Sequence, residues 1–183
     1  MSINEFKLEL SHEVINNAKD INTIKQLVLN GAIIDYQTTN GWCILFETVV
    51  LGLRDTLRDL VEMGININIK DNKGRNALFW AIFHENTHMI NDLIKYGIDL
   101  KCDVYPSVPA MHYAVYKDNK KVVKCLLDNG IDIDNLDALD STPLIFACLH
   151  GKKSMVKFLE DNGANIEHVD ILGNSPIDLK IRK

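Results

Sequence analysis

The chain has 183 residues and a formal charge of −5, with 46% apolar and 25% charged residues. That balance belongs to a folded, soluble protein rather than a disordered one, and an acidic chain without a long basic block argues against a nucleic-acid partner. No apolar stretch approaches the ~20 residues of a membrane-spanning helix, and no charged segment leading into an apolar run marks a signal peptide, so the cytoplasm is the expected setting.

The chain repeats itself. Gly31, Gly64, Gly97, Gly130 and Gly163 are each 33 residues apart, and Leu27, Leu60, Leu93, Leu126 and Leu159 keep the same interval. So does an aliphatic column of Ile34, Ile67, Leu100, Ile133 and Ile166. Such a period is the signature of a stacked array. Residues 1–37 predict two helices and form a divergent N-terminal cap. Full repeats follow at 38–70, 71–103, 104–136 and 137–169, and 170–183 is a truncated C-terminal cap with turn residues Asp170 and Gly173 and a short helix near Pro176.

Within a repeat the order of elements is legible. Segments such as Asn76–Ala81 and Thr142–Ala147 open a first helix, with Thr142 suited to the N-cap and Pro143 to the first helical position. The second helix carries Ile24, Leu57, Ile90, Val123 or Val156 three residues before the repeating leucine, on one face. The repeating glycine, four residues after each leucine, ends that helix with φ > 0. A short extended stretch then leads to a tight turn, where Gly41, Gly74 and Gly173 share a column with Ser107 and Asp140. Lys180, Arg182 and Lys183 suit a polar end to the last unit.

These features resemble the ankyrin repeat. The fourth repeat carries Thr142-Pro143-Leu144 and then Val156 through Ile166, and the third has Val108-Pro109-Ala110-Met111-His112-Tyr113-Ala114. The resemblance implies an all-α solenoid of helix-turn-helix units joined by β-hairpin-like loops. It also implies a protein partner held on the hairpin tips and the concave face of the first helices. Carried over by column, the tips present Asn40, Trp42, Lys73, Arg75, Tyr105, Pro106, Ala138, Leu139, Ile171 and Leu172. The helix face presents Val50, Leu51, Phe83, His84, Tyr116, Lys117, Leu149 and His150. The expected contacts are Trp42, Val50, Leu51, Arg75, Phe83, His84, Tyr105, Tyr116, Lys117, Leu139, Leu149 and His150, with the aromatic residues as anchors. Trp80, Tyr113 and Phe146 are expected to pack between repeats instead. The third tip, Val104-Tyr105-Pro106-Ser107-Val108, lacks both the aspartate and the glycine that build such turns, which points to recognition.

One catalytic pattern occurs. His84-Glu85-Asn86-Thr87-His88 matches H-E-x-x-H, which on a single helix supplies two zinc ligands and a general base. The repeat register instead puts it across the turn between two helices, so a zinc-dependent hydrolase through His84, Glu85 and His88 stands as a remote alternative. In the family, the histidine at the position of His112 ties adjacent loops together. Cys125 and Cys148 fall in core-facing columns, Cys43 takes a threonine-like place at a helix start, and Cys102, just before a turn, is the one candidate for reactivity. No phosphate-binding loop or nucleophile elbow is present. The expectation is a non-enzymatic module, monomeric when free, without metal or cofactor. An immunity protein that neutralises a cognate bacterial toxin, or a host-directed adaptor of a virus or intracellular bacterium, are the finer alternatives.

Overall fold

The computed structural model describes residues 3–100 and 107–181, with side chains over 5–100 and 107–180. Its helices are α1 (Ile3–Asn16), α2 (Ile21–Leu29), α3 (Ile44–Leu51), α4 (Arg54–Glu62), α5 (Ala77–Phe83), α6 (Thr87–Lys95), α7 (Ala110–Tyr116), α8 (Lys120–Asp128), α9 (Pro143–Leu149), α10 (Lys153–Asp161) and α11 (Pro176–Ile181). No strand occurs among the described residues, and none of their helices is long and apolar enough to cross a membrane. First helices α3, α5, α7, α9 and α11 pack in series, while α4, α6, α8 and α10 each pair with the first helix before them.

The leucine and glycine columns are two parts of one device. The carbonyls of Leu27, Leu60, Leu93, Leu126 and Leu159 accept from the N–H of the residue after each glycine, and the glycine N–H bonds one turn back. This closes the helix in a Schellman motif, which needs the left-handed backbone that the glycines adopt at φ 81–102°. The leucines are buried, as are Ile24, Leu57, Ile90 and Val123, whereas Val156 is half-buried. In the extended stretch the better-buried column is two residues earlier than Ile34 and its kin: Ile65 and Ile98 are buried, while Ile166 is exposed.

Side chains then link repeat to repeat. Asp35, Asn68 and Asp134 accept from the N–H groups of Asn66, Asp99 and Asn165 at 2.8–2.9 Å. The tip turns close through N–H to carbonyl bonds from Thr38 to Trp42, Asp71 to Arg75, Asp137 to Ser141 and Asp170 to Asn174. The aspartates of the last three turns also accept from two N–H groups of their own loops. His112 is buried, and its Nε2 lies 2.8 Å from the carbonyl of Ser141, joining the third repeat to the fourth. Cys43, Cys125 and Cys148 are buried, and burial pushes the Cys43 thiol up to about 11, out of reach of thiolate chemistry at neutral pH. Val104–Pro106, with Tyr105, and Cys102 lie outside the described residues; Ser107 takes the same left-handed φ, 59°, as Asp140 at 53°.

Two expected results follow from this packing. Thr48 is buried with a hydroxyl that finds no partner, in a column otherwise held by Ala81, Ala114 and Ala147. Thr48→Val keeps the volume and removes the unsatisfied group, so urea unfolding should show a gain of about 1 kcal/mol; a loss would mean the hydroxyl is satisfied in solution. Arg54 on α4 reaches Asp92 on α6 through two hydrogen bonds, of 2.5 and 2.8 Å. The guanidinium bond holds the Asp92 carboxyl below the usual carboxylate range. A carboxylate depressed in the folded state stabilises above its unfolded pKa, ~4, and that contribution disappears as pH falls through the folded value. Arg54→Met should therefore be less stable than wild type at pH 7, with the gap narrowing below about pH 4. A gap independent of pH would exclude the ion pair as its cause.

Candidate binding surface

The first helices of the four repeats are short, seven or eight residues, and each buries one face against its neighbours. What remains outside repeats every 33 residues, so exposed side chains line up. Phe83, Tyr116 and Leu149 share one column, are 43, 52 and 47% exposed and form a ridge along α5, α7 and α9, while Leu51, 40% exposed, belongs to the adjacent column of His84, Lys117 and His150. Val50 is half-buried beside it. His84 and His150 are exposed; His84 stands 5.2 Å from the Phe83 ring and His150 5.8 Å from Tyr116. The Lys117 ammonium lies 4.8 Å over Phe83, and that of Lys152 lies 5.8 Å from Tyr116, so each ring carries a cation at its face.

Behind the ridge is an aromatic shelf. Tyr113 stacks on Phe79 at 4.8 Å, and Phe146 sits 4.3 Å from His150. With Val108 and Tyr116 these side chains line an apolar recess of about 410 Å³. Trp80 meets Phe79 edge-on at 5.2 Å. The expected inward packing of Trp80, Tyr113 and Phe146 is what the structure has, with all three half-buried.

Trp42 and Arg75 sit lower than their tip positions suggest. The Trp42 indole N–H donates to Glu47 at 2.9 Å, and its ring meets Trp80 and Phe46 at 4.9 and 5.7 Å. Arg75 is bonded to the buried Asp71 at 2.6 Å and lies 4.3 Å over Trp80. Both are half-buried struts of the first two repeats as well as surface residues. Leu139 is exposed at the fourth tip. Sequence reasoning missed Lys152 and the apolar tip-flanking residues Leu136 and Val169. The signal for the latter was present, because the same column holds Gln37 and Lys70 earlier in the chain.

The H-E-x-x-H residues are not on one helix. His84 ends α5, Glu85 has φ 57°, Asn86 caps α6 by accepting from Met89, and His88 follows inside α6. Two ligands on one helical face, the requirement of that motif, are therefore not formed. No cluster of three or more His, Cys, Asp or Glu suited to a metal occurs among the described residues.

A solenoid of helix pairs with stacked turn tips and a continuous side-chain ridge defines the class of repeat proteins that act through extended surfaces. Residues 11–104 match the family model for ankyrin repeats in three copies, and residues 111–160 match a second model for ankyrin repeats in many copies. The chain belongs to the ankyrin-repeat family. Among solved structures it is similar to the ankyrin repeat domain of Bcl-3, described as a unique member of the IkappaB protein family. The identity is 27%, the match covers 93% of this chain and 78% of that one, and the TM-score is 0.79. No curated protein matches the chain. Ankyrin repeats are a protein-interaction scaffold, and this chain has that scaffold.

Proposed function

We propose that the chain is a non-catalytic cytoplasmic module that binds a partner protein along its concave ridge and hairpin tips, built as a cap at 1–37, four repeats to 169 and a truncated cap. The observation that carries this is the exposed column Phe83, Tyr116 and Leu149, with exposed Leu51 in the neighbouring column, where apolar side chains stay in water although the core beneath them is filled. Contiguous apolar surface of that kind is characteristic of docking sites, and a preorganised solenoid loses little entropy on binding. Toxin neutralisation and host-directed adaptation would use the same surface, and the captured protein's identity separates them.

The test compares capture from the native host by wild type and by Phe83→Ala/Tyr116→Ala. Trp42 is left intact because its ring braces Phe46 and Trp80. Removing two central aromatic anchors should weaken capture at least tenfold, on the order of 2 kcal/mol, with circular dichroism unchanged. Undiminished capture by a folded variant would move the site off the concave face.

A further inference from the structure

The tips change character along the array. In the first two repeats they are polar: Gln37, Thr39 and Asn40, then Lys70, Asn72 and Lys73. In the same columns the fourth repeat and the last unit carry Leu136, Ala138 and Leu139, then Val169, Ile171 and Leu172. Leu136, Leu139, Val169, Ile171 and Leu172 are 44, 45, 57, 62 and 66% exposed. They are one patch, because the Ile171 N–H donates to the Leu139 carbonyl at 3.1 Å and the His168 ring nitrogen lies 2.7 Å from the Asp140 carbonyl.

Along the stretches that carry this patch the charge has one sign. No lysine or arginine occurs between Lys124 and Lys152 or between Lys157 and Lys180. The arms and tips of those stretches instead carry Asp132, Asp134, Asp137, Asp140, Glu167 and Asp170. Asp137 and Asp170 turn into their own loops and Asp134 holds the Asn165 N–H, while Asp132, Asp140 and Glu167 stand exposed. Among the described residues, the ion pairs of this half use Asp128, Asp161 and Glu160 and none of those six carboxylates.

We infer that the tips of the fourth repeat and the last unit are a docking surface for a basic, apolar segment of a partner protein, one with Lys or Arg between aliphatic side chains. Aliphatic residues would pack on Leu139, Ile171 and Leu172, and cations would meet Asp132, Asp140 and Glu167. Apolar burial supplies affinity there, and the one-signed rim supplies selection and a faster encounter. The same rim repels anionic lipid surfaces and nucleic acid. This inference rests on the proposed protein-binding role and adds the chemistry of the partner at one end of the array.

The experiment uses the full chain and three fluorescein-labelled peptides of equal length: alternating Lys and Leu, alternating Glu and Leu, and alternating Lys and Ser. Anisotropy should show the Lys/Leu peptide binding at least tenfold more tightly than either control, and weakening several-fold as salt rises from low to physiological ionic strength. Leu139→Ser/Ile171→Ser/Leu172→Ser should lose at least tenfold. Asp140→Asn/Glu167→Gln, at exposed positions that bear no packing, should weaken binding several-fold and flatten its salt dependence. Peptide binding that survives the tip variants and is lost in Phe83→Ala/Tyr116→Ala would place the peptide on the concave ridge, overturning this inference while leaving the ridge assignment standing. Equal binding of the Glu/Leu peptide, indifference to both tip variants, or co-sedimentation with phosphatidylserine vesicles would each overturn the inference.

Discussion

Gly41→Ala is expected to destabilise the array by about 3 kcal/mol or more, well beyond the same exchange at Gly64. Gly41 has φ 77°, a left-handed backbone that costs an L-residue with a Cβ roughly 1–2 kcal/mol. That penalty is common to Gly64, Gly97, Gly130 and Gly163, where an added Cβ meets nothing within 4 Å. At Gly41 the Cβ would lie 2.6 Å from the backbone nitrogen of Asn72 and 2.9 Å from the Cα of Asp71. Those atoms belong to the next tip, which is held in place by the Asn72 amide donating to the Thr39 carbonyl at 2.7 Å. Neither backbone can yield without parting the stacked tips. Urea unfolding of Gly41→Ala beside Gly64→Ala measures the difference, and equal losses would show that the first two tips are not packed this closely.

Phe46→Ala and Phe83→Ala should separate the two uses of aromatic residues. Phe46 is fully buried in α3, with Trp42 and Trp80 at 5.7 and 6.5 Å. Truncating it removes a large core side chain and leaves a cavity that rigid neighbours cannot fill, a cost of about 3–5 kcal/mol. Adjacent repeats stabilise one another, so the loss should lower the whole thermal transition rather than melt one unit. Phe83 is 43% exposed, and its removal should cost about 1 kcal/mol or less while reducing partner capture. A Phe83→Ala variant as unstable as Phe46→Ala would make Phe83 a core residue and remove it from the binding surface.

Some of the surface was legible before any coordinates and some was not. Phe83, Tyr116 and Leu149 could be placed outside because helix periodicity and the constant repeat length put them in one column, and they are exposed, whereas Val50, the α3 member of that column, is half-buried and Leu51 beside it is exposed instead. Trp42 could not be placed as well. Its depth depends on a hydrogen bond to Glu47 in the next helix and on the Trp80 ring 38 residues away, and neither partner is implied by a column. A polar end was expected of the last unit. Lys180 does reach Glu160 there, yet Ile171, Leu172 and Ile177 are exposed on the same unit.

The sequence by itself determined the period, the helix ends and the family. Those depend on contacts a few residues apart, such as the leucine carbonyl and the N–H just past the glycine, and local chemistry repeats wherever the local residues repeat. Tertiary structure alone decided how deep each surface side chain lies and which tips touch, as where the Ile171 N–H meets the Leu139 carbonyl. Those outcomes depend on how neighbouring repeats stack, through atoms about one repeat apart in the chain, and no pattern within a single repeat encodes them.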